Sequence, residues 1–238
     1  MLDASNVIAH RGWQDKYPEN TLLGIQKAID AGVLHIECDV QVSADGYLVL
    51  CHDEELQRLS GQALHLNQLT LAEMQQLSCY EPGRLGDTFK VIKFSALQEL
   101  LVIIQAHPTV TFYVEIKEEA VEKLGVVRCL TLLQSLLGHY SNVIVISFNE
   151  AVVAQAKASF NFQRTAIVLK QWCGRNDVIT RLQADLAYVS KRHLPDEGVL
   201  SAAVPLAVYE VAEQHEAEAL LARGISMIES FCAPDLLR

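Results

Sequence analysis

The chain has no uninterrupted apolar run near the roughly 20 residues that cross a bilayer, which excludes a membrane-spanning helix from the sequence as read. Leu100 to Ile104 is the kind of short run that belongs to a buried helix. The first residues, Met1 to Asn6, have neither a basic n-region nor an apolar h-region, so no secretory signal is expected and the cytoplasm is the expected location. No two of the six cysteines (Cys38, Cys51, Cys79, Cys129, Cys173, Cys232) stand in CxxC spacing. That argues against a cysteine zinc site and for reduced thiols, several of them in apolar runs. Positive charge is scarce: 19 Lys and Arg face 29 Asp and Glu, for a net charge of −10. Nucleic-acid backbone binding needs the opposite sign, and an anionic membrane surface would not attract this chain. No Gly-rich phosphate loop is present, which disfavours an open doubly wound nucleotide-binding sheet. Charged residues are 20% of the chain and hydrophobic ones 50%, so disorder is excluded and a large core is available.

What is present is an alternation of strand-like and helix-like segments. Strands are expected at Val7–Ala9, Ile36–Val42, Tyr47–Cys51, Thr111–Val114, Val143–Ser147, Thr165–Leu169, Ala187–Ser190, Leu206–Val211 and Ser226–Ile228. Between the second and third runs, Ser43-Ala44-Asp45-Gly46 predicts a hairpin turn. Without that return, eight βα steps remain. The chain of 238 residues therefore predicts one α/β domain, a TIM (β/α)8 barrel spanning 1–238. It should carry a β-hairpin after strand 2 and a short insertion before the third barrel strand. Asn20-Thr21 predicts a capped helix start, with Leu22, Ile25, Ala28 and Ile29 on one stripe and Gly32 at its end. Ser95 should cap a helix through Leu97, Leu100, Leu101 and Ile104, ending before Pro108. Leu124, Val127, Leu130, Leu133 and Leu137 predict another. Residues 53–94 break the rhythm, with one short helix expected at Leu71–Leu77 and a loop at Pro82–Gly86. They are read as a capping insertion at the site mouth.

The chemistry-bearing residues fall at strand ends. Glu37 and Asp39 are two apart in a strand and so share a face. Two adjacent buried carboxylates need a neutralising partner, and a hard divalent cation is one. The hairpin should return His52 to the side of Asp39. His10 and Arg11 end the first strand, where Gly12 allows a tight turn. Glu115 and Lys117 share a face at the end of a further strand. Three carboxylates suit Mg²⁺ or Ca²⁺ (Mn²⁺ is also admissible) better than Zn²⁺. Arginine and lysine beside a cation suit a phosphate, and two histidines suit proton transfer.

In order and spacing, His10-Arg11-Gly12, Pro18-Glu19-Asn20-Thr21, Glu37-x-Asp39, Asp45-Gly46, His52-Asp53 and Glu115-Ile116-Lys117 resemble the glycerophosphodiester phosphodiesterase family. A weaker match continues to the C-terminus. The resemblance implies a TIM barrel that hydrolyses small-molecule glycerophosphodiesters to glycerol phosphate and an alcohol, a reaction of lipid and glycerol metabolism. It implies that Glu37, Asp39 and Glu115 bind one divalent cation. It further implies that His10 and His52 are acid and base, and that Arg11 and Lys117 hold phosphate. The late chain departs from the family pattern. Tyr209-Glu210-Val211-Ala212 stands where Trp-Thr-x-Asn is usual, and Ser230-Phe231 where Thr-Asp is usual. These changes should reshape the glycerol side of the pocket.

Other residues admit two readings. The five-residue interval from Gly32 to Glu37 repeats from Gly224 to Glu229. Glu229 is then either a solvated strand-end glutamate or a carboxylate that orients Arg11 or a metal ligand. Arg11 could instead be a structural counter-ion of Glu37 and Asp39. Asp53 is read as a turn cap, Cys38 as facing away from its flanking carboxylates, and Lys191 as a loop residue within reach of phosphate. Phe148, Trp172, Tyr209 and Phe231 are candidate pocket walls or packing residues. Hydrolysis of lysophospholipids, non-catalytic binding of glycerol phosphate, and a purely structural ion-pair cluster are the alternatives. The sequence does not assign the acid among the histidines, or choose direct water attack over a cyclic intermediate. It does not set the oligomeric state.

Overall fold

Successive strands of this chain point alternate side chains to opposite sides, and both sides are apolar, which suits strands covered on both faces. The computed structural model describes residues 2–237. Strands β1 (Val7–Ala9), β2 (His35–Val42), β4 (Thr111–Ile116), β5 (Val143–Ser147), β6 (Thr165–Leu169), β7 (Leu186–Ser190), β8 (Leu206–Tyr209) and β9 (Met227–Ser230) run parallel in chain order. Pairing of β1 with both β2 and β9 closes them into a TIM barrel. The ninth strand, β3 (Leu48–Leu50), pairs antiparallel to β2 with Val40 opposite Leu50. It is the hairpin return, with Gly46 at φ 86 in its turn.

Helices α1 (Leu22–Asp30), α5 (Leu97–Ala106), α6 (Glu118–Leu124), α7 (Val126–Leu137), α8 (Glu150–Ala158), α9 (Arg175–Leu182), α10 (Gln214–Ala222) and α11 (Ala233–Leu236) surround the strands. The short helices α2 (Gln57–Ser60), α3 (Leu71–Met74) and α4 (Pro82–Leu85) lie in the insertion. Ile36, Cys38 and Val40 face outward into the apolar layer under the helices, together with Leu100, Leu130 and Leu133. The alternate positions, such as Ile8, Tyr113, Ile146, Val168 and Tyr188, fill the barrel interior. A third cluster of Val49, Leu56, Leu59, Leu66, Met74, Cys79 and Phe94 anchors the insertion to β3.

Several boundaries differ from expectation for local reasons. The stripe from Leu124 to Leu137 is two helices, because Gly125 at φ 77 breaks the ladder, and Val127 is 61% exposed. The second predicted helix starts at Leu97. Its N-cap is Ala96, not Ser95, and the Glu99 carboxylate accepts the Ala96 N–H at 2.8 Å. The Leu71 helix stops at Met74, and Pro82–Leu85 is a helical turn with proline in its first turn. Strand β8 ends at Tyr209, two residues early, where the chain turns through a cis Tyr209–Glu210 peptide. Between β7 and β8 the crossover has only a 3-10 turn at Lys191–His193. All six cysteines are free, four of them buried, with Cys173 exposed. Among the described residues no helix is long and apolar enough to cross a membrane.

Candidate active site

The alternate residues that fill the barrel interior become polar at the C-terminal strand ends. His10 lies two past Ile8, Glu115 and Lys117 continue from Tyr113, and Asp39 sits in register with Glu115 across the β2–β4 pair. A cavity of about 290 Å³ opens there, lined by His10, Arg11, Glu37, Asp39, His52, Glu115, Lys117, Glu210 and Glu229, with Phe148, Tyr188 and Tyr209 among its walls. All seven residues predicted from the strand ends thus line one cavity, and Glu229 lines it too.

Glu37, Asp39 and Glu115 each present an oxygen within 4.8 Å of the others. Ligands on opposite sides of a Mg²⁺ or Ca²⁺ ion are about 4–5 Å apart, so the set fits a hard cation. Oε1 of Glu37 is buried with no hydrogen-bond partner, which leaves it available as a ligand. Burial first, then Asp39, Glu229 and Glu115, pushes the Glu37 carboxyl well above the usual carboxylate range. Burial also raises the Glu115 carboxyl against the pull of Lys117, and pushes that of Glu229 well up with help from Glu115 and Asp39. Burial also opposes charge on Asp39, but Arg11 and Lys117 outweigh it and hold that carboxyl below the usual range. Fully ionised, the cluster would carry more negative charge than Arg11 and Lys117 offset, an excess that a divalent ion would remove.

The cations are fixed in place. Lys117 Nζ donates to Glu115 at 2.9 Å and lies 3.4 Å from Asp39. Arg11 Nε lies 3.1 Å from Asp39 Oδ2, and its Nη1 donates to Glu19 at 2.9 Å. The Arg11 backbone, at φ 55, donates its N–H to Glu37 at 3.0 Å. Asn20 both donates to Asp39 Oδ2 and accepts the Asp39 N–H, each at 2.9 Å.

The histidines are held differently. His52 Nδ1 lies 2.6 Å from Asp53 Oδ1. His10 is buried, its Nδ1 has no hydrogen-bond partner, and Glu210 lies 3.7 Å from that nitrogen. Burial, then the Arg11 charge, pushes the His10 imidazole well below its ordinary range.

The sequence profile described as "Glycerophosphoryl diester phosphodiesterase family" matches residues 10–214. The chain belongs to the glycerophosphoryl diester phosphodiesterase family. It is 29% identical over 170 residues to bovine glycerophosphodiester phosphodiesterase 1, which covers 71% of this chain and 50% of that protein. It is 32% identical over 161 residues to a probable glycerophosphodiester phosphodiesterase 1 of Mycobacterium tuberculosis, covering 62% and 58%. The chain thus spans about half the length of the curated relatives it matches. Among solved structures it resembles an Oleispira antarctica phosphodiesterase in complex with the product sn-glycerol-3-phosphate. That likeness has a TM-score of 0.85 at 20% identity and covers 98% of this chain and 95% of the other.

Within this family member, four site residues escaped the role they hold in the structure. Glu19 and Asn20 were read only as part of a motif and a helix start, yet they brace Arg11 and Asp39. Arg58, in the insertion, donates to Glu19 and Asp53. Glu210 enters the cavity from the departing Tyr209–Ala212 segment. The Glu229 expectation is corrected in part. Its side chain is buried, not solvated, but Arg11 pairs with Glu19 and Asp39, and Oε1 of Glu229 has no hydrogen-bond partner. In-register pairing seats Glu229 beside Ile8, where the Arg11 charge lowers its carboxyl but is outweighed by burial, Glu115 and Asp39. Lys191 is drawn off to Glu216, at 2.9 Å, and Trp172 stacks on Arg175 outside the cavity. Phe231 is also not among the cavity walls, whereas Phe148 and Tyr209 are.

Proposed function

We propose that this protein is a metal-dependent hydrolase of glycerophosphodiesters, releasing glycerol phosphate and an alcohol. The observation that carries the reading is the convergence, in one cavity of a family member, of three carboxylates with two cations and two histidines. Glu37, Asp39 and Glu115 would hold one divalent cation, Mg²⁺ or Ca²⁺, with Mn²⁺ also accommodated by an oxygen set. When bound, that cation supplies Lewis-acid polarisation of a phosphate oxygen.

The chain's own residues do the rest. Arg11 and Lys117 bind the phosphodiester and offset charge that grows on its non-bridging oxygens in the transition state. One histidine takes a proton from the attacking hydroxyl as its oxygen bonds to phosphorus. The other gives a proton to the alkoxide as its P–O bond breaks, so one water is consumed overall. With Nδ1 engaged by Asp53, His52 exchanges its proton at Nε2. A neighbouring cavity shares Phe148 and Val168 with the site and carries Glu118, Lys170 and Arg175. Those charges favour a polar leaving alcohol over an acyl chain. Four buried free thiols suit a reducing compartment such as the cytoplasm.

The test is turnover of glycerophosphocholine, glycerophosphoethanolamine and glycerophosphoglycerol with Mg²⁺, Ca²⁺ or Mn²⁺, against a chelator control. Release of glycerol phosphate that the chelator abolishes is expected. Binding of glycerol phosphate with no turnover of any diester would replace hydrolysis with a binding role.

A further inference from the structure

Arg58 lies outside every motif from which the site was read, and it is the residue through which the insertion reaches the chemistry. Its guanidinium uses all three of its nitrogens. Nε donates to Asp53 Oδ2 at 2.7 Å, Nη1 to Glu19 Oε2 at 2.7 Å and Nη2 to Glu19 Oε1 at 2.8 Å. Each of those carboxylates has a second duty toward the site. The other oxygen of Asp53 holds Nδ1 of His52 at 2.6 Å, and Glu19 Oε1 also accepts Nη1 of Arg11 at 2.9 Å. The result is an unbroken series of alternating charges from His52 through Asp53, Arg58, Glu19, Arg11, Asp39 and Lys117 to Glu115.

The support behind Arg58 is rigid. The neighbouring Leu59 and Ser60 are buried, and the Leu59 carbonyl accepts the N–H groups of Tyr80 and Glu81 at 3.0 and 2.9 Å. Glu81 in turn accepts the Glu19 N–H at 2.8 Å and pairs with Arg84. Glu19 is fully buried, so without Arg58 it would keep Arg11 and Gln14 as partners but carry a buried charge with half its donors gone. A planar fork that reaches two carboxylates at once is a property of arginine that lysine lacks.

Resting on the hydrolase reading above, we infer that Arg58 is a positioning residue of the site. It sets the His52 ring through Asp53 and the Arg11 fork through Glu19, so that the 53–94 insertion is part of the catalytic apparatus. The two branches have separable kinetic signatures. Loosening His52 lowers kcat with KM little changed, whereas loosening Arg11, which also binds the phosphodiester, raises KM as well.

The experiment compares wild type, Arg58→Gln, Arg58→Lys, Asp53→Asn, Glu19→Gln and the Arg58→Gln/Asp53→Asn double variant. It measures kcat, KM and thermal stability with the best diester and cation. The expected result is a roughly 10- to 100-fold loss of kcat with a several-fold rise of KM in Arg58→Gln, from partial loss of acid–base assistance. Asp53→Asn should lower kcat alone, Glu19→Gln should raise KM as well, and Arg58→Lys should recover one branch but not both. The double variant should have a kcat within about twofold of the lower single one, because the two residues act in series. Lys157→Gln, which breaks an ion pair with Asp185 outside the cavity lining and outside the insertion, should cost stability but little turnover. The spectroscopic readout is the proton NMR signal of the His52 Nδ1–H, assigned by its loss in His52→Ala, and it should shift or broaden in Arg58→Gln. An unchanged kcat, KM and Nδ1–H signal in Arg58→Gln would overturn the inference, as would fully additive losses in the double variant. A wild type that turns over no diester but whose Nδ1–H signal still responds to Arg58→Gln would refute the hydrolase reading and leave the positioning role standing.

Discussion

At the scale of single residues, the site sets unlike chemistries side by side through unlike surroundings. Three of its carboxylates, Glu37, Glu115 and Glu229, are held above the usual range chiefly by burial, while Asp39 among them is held below it by Arg11 and Lys117. Glu229 has the least compensation, with a buried oxygen that no donor meets. A carboxyl whose folded pKa is raised contributes stability below its unfolded value near 4.5, and that contribution is lost as pH rises through the folded pKa. Glu229→Gln removes this loss. The variant should be more stable than wild type at neutral pH in chelator, because a neutral amide carries no charge to bury. The gain should vanish below about pH 4.5, and denaturant titration across pH measures both ends. For the histidines, His10→Ala and His52→Ala should each lower kcat by about 10²–10⁴-fold. Stabilisation by the cation should survive in both, because neither ring is among the three clustered oxygen donors.

At the scale of elements, the loop after β1 is as much a part of the site as the strands. Gly12 has φ 80, and a Cβ there would lie 2.7 Å from the Gly24 carbonyl carbon and 2.8 Å from the Ile25 nitrogen in α1. Gly12→Ala should therefore cost at least about 1–3 kcal/mol from backbone strain alone. It should also raise KM, because Arg11 is the preceding residue. Chemical denaturation and steady-state kinetics on the one variant read the two effects. The elements that differed from expectation did so where one residue outweighed a pattern. Gly125 split a stripe of four leucines and one valine into α6 and α7, and β8 ended at Tyr209, with Glu210 next in the chain and in the cavity lining. A stripe of apolar residues reports which face is covered, and it does not report whether the backbone between its members stays helical.

At the scale of the whole molecule, closure of the barrel assembles the proposed cation site. The three clustered carboxylates come from β2 and β4 and exist as a set only when those strands are in register. A divalent cation should thus bind the folded chain and stabilise it by mass action, by about 2.7 kcal/mol at one hundred times its Kd. Thermal denaturation should show a concentration-dependent rise of Tm with Mg²⁺, Ca²⁺ or Mn²⁺, reversed by chelator. In Glu37→Gln and Asp39→Asn the rise should shrink or disappear. An equal rise in those variants would place the cation elsewhere.

The sequence by itself determined the barrel and most of the cavity lining, because both follow from periods within one strand. Two-residue spacing carries Glu37 with Asp39, and Glu115 with Lys117, to a common face whatever the rest of the chain does. The same period sends Cys38 outward to the helix layer, where it is buried. Repetition of strand and helix then leaves few topologies open. Contacts between segments with no shared period were decided by the tertiary structure alone. Nothing local to Glu19, Asp53 or Arg58 indicates that an insertion folds back over 39 residues of chain to join them. The interval that Glu229 shares with Glu37 gave its depth on a strand, but the choice of partner for Arg11 depended on distance. Glu19 and Asp39 lie within 3.1 Å of that guanidinium and take its ion pairs, while barrel closure seats Glu229 level with Ile8, where burial, Glu115 and Asp39 raise its carboxyl and outweigh the opposing charge of Arg11.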